Sequence, residues 1–231
     1  MTPKSKKNYL AIIPARGGSK GLPNKNITPF LGTPLFLNTY NTLKSSKYNI
    51  DIYVSTDSGK IISICKENGL NYVERPNEIS KDNSTTEEAI DHLLKNIELS
   101  RYDNIILAQC TSPLLTSSDV NEILDSFETK IEYVDSIFTC YEDHFPIWNL
   151  ENDKLFRLNH LEKVRQPRQK SKSIFIENGA LYVFKIKKYL KSKSRFCGNI
   201  DKHTMSKYKS IDINNLYDFQ IAEYIKSNNL I

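Results

Sequence analysis

The sequence predicts an α/β fold, with a mostly parallel sheet flanked by helices and a small inserted arm. Three observations carry this. Short apolar runs alternate with segments of helical period, which implies crossover units between parallel strands. The loops that carry candidate site residues, 15–26, 55–57, 109–113 and 212–214, each follow a predicted strand, where parallel sheets hold ligands. Between about Tyr141 and Ser173 the alternation fails, which marks an insertion. The 231 residues fit one domain carrying such an arm.

In chain order, Tyr9 to Pro14 reads as a strand and Pro34 to Ser45 as a helix. "IDIYVST" (Ile50 to Thr56) is a second strand. Ile61, Ile62 and Cys65 follow at helical spacing. "LNYVERP" is a short strand ending in Pro76. Thr85 to Leu99 is a helix with Ala89, Leu93 and Ile97 on one face, joined by Ile90 and Leu94. Its start carries a capping sequence, with Ser84 as cap and Glu87 three residues later. "NIILAQ" is a strand, and Val120, Ile123, Leu124 and Phe127 mark the next helix. "VDSIFTC" is a further strand. The last helix spans about Asn215 to Ser227, with Leu216, Phe219, Ala222 and Ile225 facing inward. The arm holds His144, Trp148, His160 and "VRQPRQK", and reads as a dimerisation element or a lid.

Composition narrows the class. Apolar residues are 39% and charged residues 26%, ordinary for a soluble globular protein. No apolar run approaches the roughly 20 residues of a membrane span, and no signal-peptide core follows the basic start, so the expectation is cytoplasmic. Cys65, Cys110, Cys140 and Cys197 form no CxxC pair and read as buried reduced thiols. The net charge of +5 fits either a lysine-rich surface or a cleft for anions. An RNA-binding domain is a rival on charge alone, but no RRM motif or zinc-finger spacing supports it.

The most informative stretch is "AIIPARGGSKGLPNKN" (Ala11 to Asn26). Gly17 and Gly18 let the chain turn and offer N–H groups to an anion. Arg16, Lys20 and Lys25 add positive charge, Pro23 stiffens the loop, and the loop itself carries no acid. A triphosphate would neutralise this cluster. The pattern is neither GxxxxGK[ST] nor GxGxxG. Its length sets it apart from a merely basic surface loop.

"IIPARGGSKGLPNKNI" resembles the phosphate loop of the cytidylyltransferases that activate nonulosonic acids, the CMP-sialic acid synthetases and their relatives for legionaminic and pseudaminic acid. "VSTDS", "ERPNEISKDNSTT", "LAQCTSPLLT", "RQPRQ", "ENGALYVF" and "SIDINNLYDFQIAE" follow in family order, so the resemblance runs from about Tyr9 to Glu223. It implies a nucleotide-binding sheet of the nucleotide-diphospho-sugar transferase type, with the arm at about 141–173 swapping across a homodimer. It also implies a reaction in which CTP and a nine-carbon 2-keto sugar acid give the CMP-sugar and pyrophosphate.

The resemblance assigns roles. Arg16 and Lys25 would hold the phosphates, joined by Ala15, Gly17, Ser19, Lys20 and Asn26 of the same loop. Arg75 resembles the arginine that reaches the cytosine, and Ser84 would touch the nucleotide while capping a helix. Gln109, Thr111 and Ser112 would face the sugar acid, as would Arg168; Asn178 would position Tyr182, which is either core or site. Asp212 would ligate magnesium (Mg2+). The family pattern there is D-x-D, and this chain has "DIN", so the second ligand is Asn214, an uncharged donor. Either residue could instead cap the last helix. Asp57 reads more as a turn residue than a contact. No side chain stands out as a general base.

Two departures concern the sugar. Ile176 stands where sialic acid enzymes tend to have arginine, and Trp148 stands where some have lysine. Both make the pocket less basic, which suits a legionaminic or pseudaminic type of acid. The alternatives are a Kdo-type cytidylyltransferase and a CTP-binding protein impaired at Asn214.

Overall fold

The computed structural model describes residues 8–18, 21–159, 167 and 172–231. Ser19, Lys20, His160 and Arg168 lie outside the described residues. The chain opens with β1 (Asn8–Pro14), a short ribbon of β2 (Pro29–Phe30) and β3 (Thr33–Pro34), and α1 (Leu35–Lys44). Two crossover units follow: β4 (Ile50–Thr56), α2 (Gly59–Glu67) and β5 (Asn71–Glu74), then α3 (Thr86–Asn96), β6 (Tyr102–Ala108), α4 (Ser117–Thr129) and β7 (Ser136–Asp143). A hairpin of β8 (Trp148–Glu151) and β9 (Lys154–Arg157) interrupts them. β10 (Ile174–Lys185), α5 (Ile186–Ser192), β11 (Ile200–Thr204) and α6 (Leu216–Ser227) complete the chain.

The main sheet has seven strands in the order β11-β7-β10-β6-β1-β4-β5. Only β10 runs antiparallel to its neighbours; the β1–β4, β1–β6, β4–β5 and β7–β11 pairs are parallel. Both faces are covered, which explains why β1 is apolar without alternation. Tyr9, Ala11 and Ile13 enter one core with α1, α2, α4 and α6, while Leu10 and Ile12 enter another with α3 and α5. From β1 the chain goes to β4 on one side and reaches β6 on the other. The carboxyl ends of β1 and β6 therefore flank a topological switch point, where open sheets of this kind form their crevice.

Three helices start on capping boxes, at Thr85 with Glu88, Thr116 with Asp119, and Asn215 with Asp218. The first corrects the sequence reading by one residue. Ser84 instead accepts the Lys81 N–H, and Glu87 points elsewhere. The third shows that neither Asp212 nor Asn214 is the cap. Asn215 Oδ1 accepts from the N–H groups of Tyr217 and Asp218. On α6, Phe219 and Ala222 are buried and Ile225 packs against the core, but Leu216 is 54% exposed rather than inward.

β10 and β11 join β7 at one corner. Asp135 accepts the Asn199 N–H (3.1 Å) and pairs with Lys185 (2.9 Å) and Lys188 (3.1 Å). Gly198 makes the approach possible, since its φ is +60° and a Cβ there would lie 2.2 Å from Asp135 Oδ2. Against the cost of burial, the hydrogen bonds from Lys185, Asn199 and Lys188 hold the Asp135 carboxyl down at about 2. A depressed folded-state value adds stability above the unfolded-state value, lost as pH falls toward the folded one. We expect Asp135→Asn to cost up to about 2 kcal/mol near neutral pH. The gap from the parent should narrow as pH falls from about 4 toward 2. Urea melts at several pH values check this; a gap independent of pH would assign the loss to packing.

Candidate active site

An open cleft of about 200 Å³ lies at the carboxyl ends of β1, β5 and β6. Its lining includes Pro14 and Arg16 after β1, Lys25 and Asn26 farther along the same loop, Arg75 after β5, and Gln109, Cys110 and Thr111 after β6. Ser84, Thr85 and Thr86 close the far wall at the start of α3. Sequence segments 14–26, 75–86 and 109–111 meet in one place because β6, β1, β4 and β5 form one contiguous parallel run whose carboxyl ends share an edge.

The basic loop is held by polar ties. The Ala15 N–H donates to Ser55 O (2.9 Å), Asn26 Nδ2 to Arg16 O (2.9 Å), and the Gly17 N–H to Asp57 Oδ1 (2.9 Å). The last contact corrects two expectations: Asp57 anchors the loop, and the Gly17 N–H is already engaged rather than offered to an anion. Nor do Gly17 and Gly18 sit at positive φ. At Gly17 a Cβ would meet Ser58 Cβ at 3.0 Å, so crowding is what favours glycine there. Gly21 is under stricter constraint, since a Cβ would lie 2.1 Å from the Asn214 carbonyl oxygen.

The cations differ in their partners. Arg16 pairs with Asp82 across the cleft (2.7 Å), so the acid that the loop lacks comes from the segment before α3. Lys25 Nζ donates to Ile213 O at 2.6 Å. Burial lowers the Lys25 pKa, opposed by the nearby Asp212 charge. Arg75 is the most enclosed, at 6% exposure. Its Nε and Nη2 have no hydrogen-bond partner among the described residues. Burial lowers its pKa first, with Asp57 pulling it back up. A buried guanidinium with two unsatisfied donors is costly unless a ligand supplies acceptors. Thr111 Oγ1 and Ser112 Oγ are also buried without partners among the described residues. Burial pushes the Cys110 thiol up to about 12, so it is a neutral wall and not a nucleophile.

The segment 212–214 lies against Lys25, outside the cleft lining, and is not a strand. The Ile213 N–H donates to Thr111 O (2.8 Å), and Asn214 Nδ2 donates to Asp212 Oδ2 (2.9 Å). Asp212 and Asn214 thus lie together through this hydrogen bond rather than by strand alternation. Among the described residues, no group of three His, Cys, Asp or Glu could hold an ion. This donor set fits magnesium in the manner usual for that ion, with one carboxylate and the remaining ligands from phosphate oxygens and water.

Two expected sugar contacts sit elsewhere. Tyr182 is 2% exposed and packs in the α3/α5 core, its hydroxyl bonded to Glu177. Asn178 is buried with its amide engaged by Thr139, Ala180 and Ser210, so it ties β10 to its neighbours. Gln109 lines the cleft, its N–H donating to Ala180 O (3.2 Å). Sequence reasoning missed Asp82, Thr86 and Cys110. Asp82 and Cys110 lay inside quoted motifs, but no local pattern says that Asp82 reaches Arg16.

The cytidylyltransferase family model matches residues 10–229. The N-acylneuraminate cytidylyltransferase of Streptococcus agalactiae serotype III (strain NEM316) is 31% identical over 215 residues, 91% of this chain and 51% of that protein. The chain thus spans about half the length of that relative. The pseudaminic acid cytidylyltransferase of Campylobacter jejuni (strain 81-176) is 24% identical, with 94% of this chain and 95% of that protein covered. In fold, the chain is similar to CMP:2-keto-3-deoxy-manno-octonic acid synthetase complexed with CTP, at TM-score 0.70 and 13% identity, covering 96% of this chain and 99% of that one.

The Gly21 contact yields a test. Gly21→Ala should force the loop off residue 214 at a cost of about 1–3 kcal/mol. Thermal melts should fall by several degrees, and stabilisation by an added nucleoside triphosphate should weaken. An unchanged response to triphosphate would show that the contact is irrelevant to the cleft.

Proposed function

The chain belongs to the cytidylyltransferase family, and on that premise we propose that it transfers CMP from CTP to the anomeric hydroxyl of a nonulosonic acid, releasing pyrophosphate. The observation that carries this reading is Arg75: a nearly enclosed guanidinium at the cleft wall whose Nε and Nη2 want acceptors. A cytosine ring offers adjacent oxygen and nitrogen acceptors that match such a fork.

The other residues divide the work. Arg16 and Lys25 face the phosphates, and Ser19 and Lys20 belong to the same loop. Displacement at the α-phosphorus loads charge onto its oxygens and the departing pyrophosphate, and fixed cations lower that barrier. Arg16 must exchange Asp82 for phosphate to do so. Gln109, Thr111 and Ser112 take the sugar acid, with Arg168 assigned there by family likeness. Among the described residues, the cleft lining contains neither a carboxylate nor an imidazole. Asp212 and Asn214 would hold magnesium, which when bound neutralises triphosphate charge and acidifies a hydroxyl.

The sugar is proposed to be of the pseudaminic or legionaminic class. By family likeness Ile176 and Trp148 stand where sialic acid enzymes carry basic residues, and the chain's likeness to a pseudaminic acid cytidylyltransferase, at 24% identity, supports the same class. A homodimer through the arm is also proposed. The β8–β9 hairpin exposes Trp148, Leu150, Leu155 and Phe156, more apolar surface than a lone hairpin can leave in water.

Pyrophosphate release with CTP, magnesium and a panel of sialic, legionaminic, pseudaminic and Kdo acids tests the reading. Release with a nonulosonic acid is expected. Release with Kdo alone would move the chain to the Kdo class, and CTP binding without any release would point either to a sugar outside the panel or to a protein impaired at Asn214. Two variants sharpen it. Arg75→Met should raise KM for CTP at least about tenfold, the worth of a hydrogen bond to a charged group. Asp212→Ala should abolish turnover, and full turnover at saturating magnesium would sink the metal assignment.

A further inference from the structure

Arg195, in the connection between α5 and β11, belongs to no motif and lines no cleft, yet it joins both walls of the site from behind. Its Nε and Nη2 make a two-pronged contact with the Glu87 carboxylate, at 2.8 and 3.0 Å. Glu87 is in the first turn of α3, one residue past Thr86, and its carbonyl also accepts the Tyr189 hydroxyl at 3.0 Å. The same guanidinium lies over the Tyr182 ring, 5.0 Å from its centroid, and the Tyr182 hydroxyl bonds Glu177. Glu177 and Tyr182 bracket the register shift in β10, and between them Ala180 accepts the Gln109 N–H. The Arg195 side chain is only 14% exposed, so little solvent competes for its fork.

We infer that Arg195 is a positioning residue, which pins the first turn of α3 to β10 and so sets the distance between the Ser84–Thr86 wall and the Gln109 wall. The inference rests on the nucleotide reading above, in which Arg75 receives the cytosine and Arg16 and Lys25 the phosphates, and adds that the α3 wall belongs to the nucleoside end. It makes a division that a merely structural role does not. Loosening the α3 wall weakens the nucleoside end more than the phosphate end, where Lys25 is held independently by Ile213 O. Arginine is needed because one planar group must grip a carboxylate at its edge and an aromatic ring at its face, which lysine cannot do together.

The test measures dissociation constants for CTP and for inorganic pyrophosphate on the full chain by calorimetry, with steady-state kinetics alongside, for Arg195→Met, Arg195→Lys and Glu87→Gln. The expected result for Arg195→Met is CTP binding weakened about tenfold, consistent with losing a charged, forked hydrogen bond. Pyrophosphate binding should stay within about twofold, and kcat at saturating CTP should move less than KM. Arg195→Lys should recover part of the CTP affinity, and Glu87→Gln should fall between parent and Arg195→Met. Equal losses for CTP and pyrophosphate, or lower melting temperatures with CTP affinity unchanged, would overturn the positioning role. Should Arg195→Met not fold, the lysine and Glu87→Gln variants decide by the same comparison. A parent chain that binds pyrophosphate but not CTP would overturn the nucleotide reading, and the positioning role with it.

Discussion

The site is closed by a contact between residues 188 positions apart, where the Lys25 ammonium donates to the Ile213 carbonyl. Much of the local structure exists to permit it. Gly21 has no side chain, so the first loop can lie against Asn214. The Ile213 N–H is fixed by Thr111 O, and the N–H groups of Asn214 and Asn215 end on Asp218, inside the capping box of α6. A helix cap at the end of the chain thus sets the orientation of a carbonyl that holds a lysine near its beginning. Asp212 sits beside that lysine as a consequence. The cleft is the place where three strand ends and one helix cap are tied into a single ring of hydrogen bonds.

Within that ring the cations are kept short of partners. Burial disfavours the charged forms of Lys25 and Arg75, and the acids that offset it, Asp212 and Asp57, are near without pairing directly. Satisfying both cations with carboxylates would stabilise the empty protein and compete with a polyanion. Leaving Arg75 Nε and Nη2 unbonded does the reverse, because a ligand that supplies acceptors recovers a desolvation cost already incurred during folding. Stability for this arrangement comes from elsewhere, from a sheet covered on both faces and from buried ion pairs such as Asp135 with Lys185.

The parts legible in the sequence were those with a local period or a fixed order. β1, β4, β5, β6 and β7 and the apolar faces of α3 and α4 follow from periodicity alone. Because β6, β1, β4 and β5 form a contiguous parallel run, the loops at their carboxyl ends had to converge. That brought Arg16, Lys25, Arg75, Gln109 and Thr111 to one cleft. What failed needed the third dimension. Alternation says that Tyr182 and Leu181 face opposite ways but not which way is inward to the site, and the register shift in β10 hides the answer. The capping sequence "STTEE" contains two consecutive readings, and the structure uses the second, Thr85 with Glu88. The contacts of Asn178 with Thr139, Asp82 with Arg16 and Arg195 with Glu87 span 39, 66 and 108 positions, beyond any window of sequence.

The Arg16–Asp82 pair has one further consequence. A cation already matched to a carboxylate does not carry a mobile counterion, so placing a phosphate on it swaps one fixed anion for another. Only cations with no protein partner release salt into solution when a polyanion arrives. The affinity for triphosphate should therefore respond to ionic strength less steeply than a count of the loop's basic residues implies. Removing the carboxylate, as in Asp82→Asn, would tighten binding in dilute buffer and make it more fragile as salt rises. In that sense Asp82 acts as a built-in buffer for the electrostatics of the cleft, holding its pull on anions steady across changes in the surrounding electrolyte.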